Sequence, residues 1–188
     1  MRCDQPQTRG YTLIEMVLVL VILGIMAAAL APVARNSLVA YDTTLGDLLV
    51  LDKQRYAIER LAREIREVNY NSTTGYAFST SVTASGNSMA LTRVFYDTGG
   101  IATADTVVTI GNTGSAITLT YSLPSGVGAQ VLTDELGATG NLVFSYYKQD
   151  GTAATSLTDV RFVEISITLI HNGNSYPQRT RVELKNHS

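Results

Sequence analysis

From Met16 to Ala34 the chain carries no charged side chain, and no other feature restricts its possible folds as much. Counted from Tyr11, the run is about 24 residues, or roughly 36 Å as a helix, enough to cross a hydrocarbon core of about 30 Å. A buried core helix is the first alternative, but apolar residues on every face of so long a segment make it the lesser reading. A secretory signal is the second. Its small-residue cleavage site would follow the run, whereas here polarity resumes at Arg35-Asn36-Ser37 and helical character continues. Just before the uncharged run stands Glu15. A carboxylate at mid-bilayer depth costs about 2.5–3.5 kcal/mol, and less near an edge, so Glu15 either reaches the head groups or needs a partner.

Beyond the run the helical pattern changes chemistry and extends to about Val68. Leu38, Tyr41, Leu45 and Leu48 recur at three- and four-residue spacing, as do Ile58, Leu61, Ile65 and Val68. Opposite them, Glu59 with Arg63, Arg60 with Glu64 and Arg63 with Glu67 are spaced for i,i+4 pairs, which reads as a solvated face. Asp52 and Arg55 interrupt the apolar seam, so the stripe is expected to pack on a sheet rather than in a coiled coil. "NYNSTTGY", residues 69–76, then breaks the helix. Its Asn71-Ser72-Thr73 matches a glycosylation acceptor, but a helix-ending turn is the expected role.

The remainder reads as β. Ile117, Leu119 and Tyr121 alternate with polar neighbours over 115–122, and Val163, Ile165, Ile167 and Leu169 do so over 161–169. Such alternation marks half-buried antiparallel strands. Asn172-Gly173 suits a tight hairpin that folds 161–170 onto about 176–184. Further strands are expected at 76–83, 88–95, 105–110, 127–132 and 142–149, with surface loops at 97–104 and 111–115. The fold class is therefore α+β: a long N-terminal helix, transmembrane in its first half and amphipathic in its second, packed on an antiparallel β-sheet head.

Composition removes several functions. With 188 residues, 45% of them hydrophobic, the chain suits one globular domain plus an accessory segment. A net charge of −2 gives no broad basic surface, so no nucleic-acid partner is expected. The single cysteine, Cys3, precedes the apolar run, which leaves the folded part without a disulfide or a cysteine-ligated metal. A lipid anchor on Cys3 is disfavoured because it would need the cysteine after the apolar stretch. Asp97-Thr98-Gly99 resembles half of an aspartic-peptidase pair but is equally an ordinary turn. His171, expected in the hairpin turn, and His187, in the tail, lack the neighbours of a metal site or triad. Glycines 111, 114, 126 and 128 lack the lysine and the strand-to-helix setting of a phosphate loop. No catalytic residue, metal or cofactor is expected.

A cut after Gly10 would answer the question Glu15 raises. It would create an α-amine on Tyr11, four residues before the carboxylate and, in one continuous helix, about 6 Å along the axis. A neighbouring subunit shifted axially could place its own amine beside Glu15, and pairing both charges in a dry environment would favour self-association. Gly24 and Pro32 weaken the helix between them, at about 1 and 3 kcal/mol respectively, and Pro32 deprives the Ala28 carbonyl of its usual donor.

Gly10-Tyr11-Thr12-Leu13-Ile14-Glu15, behind a short leader with Arg2 and Arg9 and ahead of the apolar run, resembles the type IV prepilin signature, shared by pilins and the pseudopilins of type II secretion. Tyr11 departs from the usual phenylalanine while keeping an aromatic ring. The resemblance implies a pilin-like fold, cleavage between Gly10 and Tyr11 by a membrane-embedded prepilin peptidase, and methylation of the Tyr11 amine. It further implies a role for Glu15 in subunit assembly, and local helix melting between Gly24 and Pro32 in the filament. "ERLAREIREV", 59–68, and "RVELKN", 181–186, look like minor pilins related to the J-type pseudopilin and to mannose-sensitive haemagglutinin pilus components, whereas Glu15 argues against the K type. The implied parts are a cleaved leader, 1–10; a transmembrane and filament-core helix, 11–35; an amphipathic helix, 36–69; and a β-rich head, 70–188.

By the same resemblance, the chain is inserted in the bacterial inner membrane by a single pass with its head in the periplasm, and is then drawn into a filament that can reach the cell surface. Its implied partners are major and minor pilins, the prepilin peptidase, the inner-membrane assembly platform and, before assembly, membrane lipid. The expected function is that of a minor pilin at the initiation or tip of assembly. A J-like pseudopilin of type II secretion is the alternative, and a single-pass anchored periplasmic enzyme or binding module is a third reading that would keep its leader and not need Glu15.

Overall fold

The computed structural model describes residues 10–79, 86–96, 102–122 and 128–185, and divides into two compact units at Leu45/Gly46. One helix, α1, runs from Leu13 to Arg66, ending two residues before the expected Val68. In the first unit every residue from Gly10 to Leu45 is exposed. By length and composition the helix can cross a membrane. The few hydroxyls of its polar-flanked part bond back to the helix itself: Ser37 Oγ donates to the Val33 carbonyl at 2.9 Å and Thr44 Oγ1 to Ala40 at 2.7 Å. A helix that satisfies its own polar groups can enter apolar surroundings without stranding a donor.

The second unit is the β-rich head together with the α1 residues from Gly46 onward. Among the described residues nine strands follow the helix: β1 (Tyr70–Asn71), β2 (Gly75–Tyr76), β3 (Met89–Tyr96), β4 (Ala102–Thr113), β5 (Ala116–Tyr121), β6 (Gln130–Thr133), β7 (Leu142–Tyr147), β8 (Phe162–His171) and β9 (Asn174–Glu183). Instead of one sheet there are a small β1-β2 pair, a four-stranded meander β3-β4-β5-β6 and a three-stranded meander β7-β8-β9, all antiparallel. Gly86, just before β3, bridges Phe144 of β7, exchanging bonds of 3.2 and 2.8 Å. Chain neighbours pair because short loops close at the least entropic cost.

One core joins helix and sheets. Ile58, Leu61, Ile65 and Val68 are buried as their spacing requires, against Leu91, Ile110 and Leu119 of one sheet and Phe144, Ile165 and Ile167 of the other. The earlier stripe differs: Leu38, Tyr41 and Leu45 are exposed in the first unit, and Leu48 is 53% exposed in the second, where burial begins at Val50. Three- and four-residue periodicity marks a face that something covers, without saying that the same chain covers it.

The expected strands other than 76–83 are present with adjusted limits. β4 runs to Thr113, so residues 111–113 are strand and the turn is confined to Gly114-Ser115. Likewise 102–104 of the expected 97–104 loop belong to β4. Within 76–83 only Tyr76 is in a strand, with a bridge from Phe78 to Leu91, while 80–85 lie outside the described residues. The β8-β9 hairpin turns on Asn172 (φ 49°) and Gly173 (φ 80°). Positive φ at both positions is the two-residue turn that matches strand twist.

Candidate functional site

The segment that carries the cleavage expectation lies outside the helix. Gly10, Tyr11 and Thr12 precede α1 and are exposed, so the Gly10–Tyr11 peptide bond is free of helical hydrogen bonding. Thr12 is the helix cap: its Oγ1 accepts the Glu15 N–H at 3.4 Å, and its carbonyl accepts the N–H groups of Glu15 at 3.1 Å and Met16 at 3.3 Å. Thr12-x-x-Glu15 is the capping-box spacing, a helix-start signal already available in the sequence.

This placement changes the electrostatics of Glu15. A carboxylate in the first turn is favoured by the helix dipole, typically by about 0.3–1 kcal/mol, which is smaller than the insertion cost of about 2.5–3.5 kcal/mol at bilayer depth. The helix alone therefore leaves most of a deep burial cost uncompensated. Among the described residues no side chain bonds or pairs with the Glu15 carboxylate. The axial estimate of about 6 Å from Tyr11 applies only to helical residues, and Tyr11 is not one.

Gly24 and Pro32 both lie within α1, so the expected weak stretch is helical in this chain by itself. A Cβ added at Gly24 would meet nothing within 4 Å. Nothing in the described chain requires glycine there.

A second constellation was hidden in the charge run. Glu64, expected on a solvated face, is buried with its side chain 1% exposed. Arg60 reaches it at 2.9 Å, the Tyr121 hydroxyl donates to it at 2.7 Å, and Arg93 Nε stands 3.5 Å from its other oxygen. That last pair is within ion-pair reach but too poorly aligned for a hydrogen bond, and both atoms are otherwise unbonded. Arg93 also pairs with Glu67, Arg55 with Glu59 at 2.9 Å, and Arg60 donates to the Tyr121 hydroxyl at 2.6 Å. Of the three expected i,i+4 pairs, Arg60–Glu64 forms, while Glu59 and Glu67 take other partners. Burial, then the hydrogen bond to Glu64, pushes the Tyr121 hydroxyl up from its ordinary pKa. No local signal marks Glu64, because its partner Tyr121 is 57 residues away. The arrangement clamps the helix onto β3 and β5.

A third cluster ties the start of the head's helical part to the β8-β9 hairpin. Tyr176 Oη donates to Asp47 at 2.5 Å, and Gln54 Nε2 to the Tyr176 carbonyl at 2.5 Å. His171 lies at the end of β8 rather than in the turn itself, with Nδ1 3.4 Å from Glu135. Lys53 bridges Asp134 at 2.8 Å and Glu135 at 3.3 Å, and the hydrogen bond to Asp134 chiefly holds its ammonium above the usual lysine value. Among the described residues no three His, Cys, Asp or Glu side chains gather to hold a metal. Cys3, Asp97-Thr98-Gly99, Gly126 and His187 lie outside the described residues. Asn71 closes a turn by accepting the Thr73 N–H at 2.8 Å.

Residues 6–31 match the prokaryotic N-terminal methylation motif, which brackets Gly10, Tyr11, Glu15 and Gly24 and stops one residue before Pro32. No curated protein and no solved structure matches the chain.

Proposed function

We propose that this chain is a minor type IV pilin: a structural subunit made with a leader, inserted in the bacterial inner membrane with its head in the periplasm, and built into a filament at initiation or at the tip. The carrying observation is the methylation motif over residues 6–31, which contains an exposed, non-helical Gly10–Tyr11 bond. Peptidases bind substrates in extended form, and this bond needs no unwinding to be reached. Cleavage there by a prepilin peptidase leaves an amine on Tyr11, which becomes the methylated terminus.

That amine is a cation at the positive end of a helix, where the dipole disfavours it. Glu15 of a neighbouring subunit offsets both costs at once, because pairing neutralises two charges that would otherwise each stay in an apolar setting. Lipid serves as the solvent before assembly, the assembly platform lifts the subunit out, and major and minor pilins then cover the exposed helix. Residues 24–32 melt in the filament, where unwound backbone can be covered by neighbours. The work of the chain is assembly rather than catalysis. A J-like pseudopilin role in type II secretion is the second reading, since "ERLAREIREV" and "RVELKN" look like minor pilins related to the J type as well as to mannose-sensitive haemagglutinin pilus components, and neighbouring genes separate the two.

Intact-mass measurement of the protein from its native membrane tests the reading. The expected mass is that of residues 11–188 plus one methyl group. A chain that begins at Met1 and functions as a solitary anchored molecule would overturn it in favour of an anchored enzyme or binding module.

A further inference from the structure

The three-stranded sheet ends in an open edge beside a cationic groove. β9 pairs with β8, and among the described residues no strand pairs with its other side. The direction of its free groups follows from register. His171 and Asn174 close the two-residue turn as the first bonded pair, and Leu184 N–H donates to the Arg161 carbonyl at 3.0 Å. Bonded and non-bonded pairs alternate along an antiparallel ladder, so even-numbered residues of β9 bond β8 and odd-numbered ones turn outward. Pro177 occupies an outward position, where its missing N–H removes no ladder bond, and it guards the first half of the edge. Arg179, Arg181 and Glu183 keep outward donors and are exposed.

Alongside, α1 and β9 border a groove of about 540 Å³ whose lining includes Ile58 and Ala62, the cations Arg63, Arg66 and Lys185, and the acids Glu59 and Glu67. Both acids are engaged elsewhere, Glu59 with Arg55 and Glu67 with Arg93. Arg63, Arg66 and Lys185 are exposed and have no ion-pair partner among the described residues. Arg181 is held on the opposite face by Glu164 at 3.1 Å, with its guanidinium 4.3 Å from the centre of the Tyr147 ring, so its side chain does not block the groove.

We propose that this edge and groove bind an extended acidic polypeptide segment of another protein. The segment adds as a strand along Arg179 to Glu183, its backbone meeting the outward groups and every second side chain entering the groove, apolar ones against Ile58 and Ala62 and acidic ones against Arg63, Arg66 and Lys185. Main-chain bonds supply affinity and alternate side chains supply selectivity in this mode of recognition. A bare polyanion would meet the same charged lining but would leave the open edge unused. The proposal is independent of processing at Gly10.

The test uses the full chain in detergent and a fluorescent peptide whose every second residue is in turn valine and glutamate, with serine between them, followed by anisotropy. Saturable binding is expected, weakened about tenfold or more by Arg63→Glu with Arg66→Glu. Arg179→Pro, which removes one outward donor without touching the β8 ladder, should weaken it similarly, while Arg179→Gln should stay within about twofold of the native chain. If Arg179→Pro fails to fold by circular dichroism, a peptide methylated on alternate backbone nitrogens makes the same comparison. Absence of saturable binding, equal binding of a valine-lysine peptide or of inorganic polyphosphate, or indifference to the Arg63→Glu/Arg66→Glu change would each overturn the proposal.

Discussion

Glu15 and Glu64 carry the same functional group in opposite circumstances. Glu64 is enclosed within its own subunit by Arg60, Arg93 and Tyr121, so removing it takes a charge partner from two half-buried guanidinium groups and the acceptor from the Tyr121 hydroxyl. Breaking a buried pair from one side costs about 3–5 kcal/mol, and Glu64→Ala should lower the unfolding free energy of the full chain by that order in urea titrations followed by circular dichroism. A loss as small as that of a surface pair would show that the clamp is solvated in solution. Glu15 is exposed and bonds only through its backbone to Thr12. Glu15→Ala should therefore leave the head's unfolding curve unchanged while reducing incorporation into filaments, and unchanged piliation would count against its assigned role. Of the two acids only Glu15 stood out in the sequence, because an apolar run makes a charge conspicuous, whereas Glu64 sits in a helix of alternating charges that conceals which one turns inward.

At the scale of elements, two left-handed glycines separate strain from collision. Gly173 in the β8-β9 turn has φ 80° and open space around a hypothetical Cβ, whereas Gly75 has φ 81° and would put that atom 2.4 Å from the Leu157 carbonyl carbon. Gly173→Ala should cost only the left-handed penalty of about 1–2 kcal/mol, and Gly75→Ala clearly more, because backbone must move. Comparable urea midpoints for the two variants would refute the close packing of β2 against the 157–158 segment. In α1, Gly24→Ala strengthens the helix by about 1 kcal/mol with nothing to clash against. If residues 24–32 melt on assembly, that variant should be processed normally yet enter filaments poorly. Continuous helical bonding across 24–32 in a filament reconstruction would sink the melting idea.

Across the whole molecule, the resolved shifts define a window of pH stability. Asp134 is held below the usual carboxylate value, first by its hydrogen bond from Lys53, and Asp150 first by its hydrogen bond from Thr152. Depressed acids contribute stability above about pH 4 that is lost as pH falls through the lowered values. Lys53 is raised chiefly by Asp134, Tyr176 by its bond to Asp47, and Tyr76 and Tyr121 by burial. Raised groups contribute stability that is complete below about pH 10 and disappears as pH climbs through the raised values. Melting temperature should therefore be flat around neutrality and fall on both flanks, more gently on the alkaline side for Tyr121→Phe. An unchanged alkaline slope in that variant would show that Tyr121 is not protected from ionisation.

The sequence by itself determined the features that depend on near neighbours. The apolar run, the Asn172-Gly173 signal, and the alternation of Val163, Ile165, Ile167 and Leu169 all survive intact, since helix periodicity, turn conformation and strand pleat are fixed within a few residues. Only the tertiary structure decided the division of the strands into separate sheets, the exposure of Leu48, the inward turn of Glu64 and the open edge of β9. Each depends on which distant segment comes to lie alongside, and the local pattern is the same whether a face is covered by its own chain, by another molecule or by nothing.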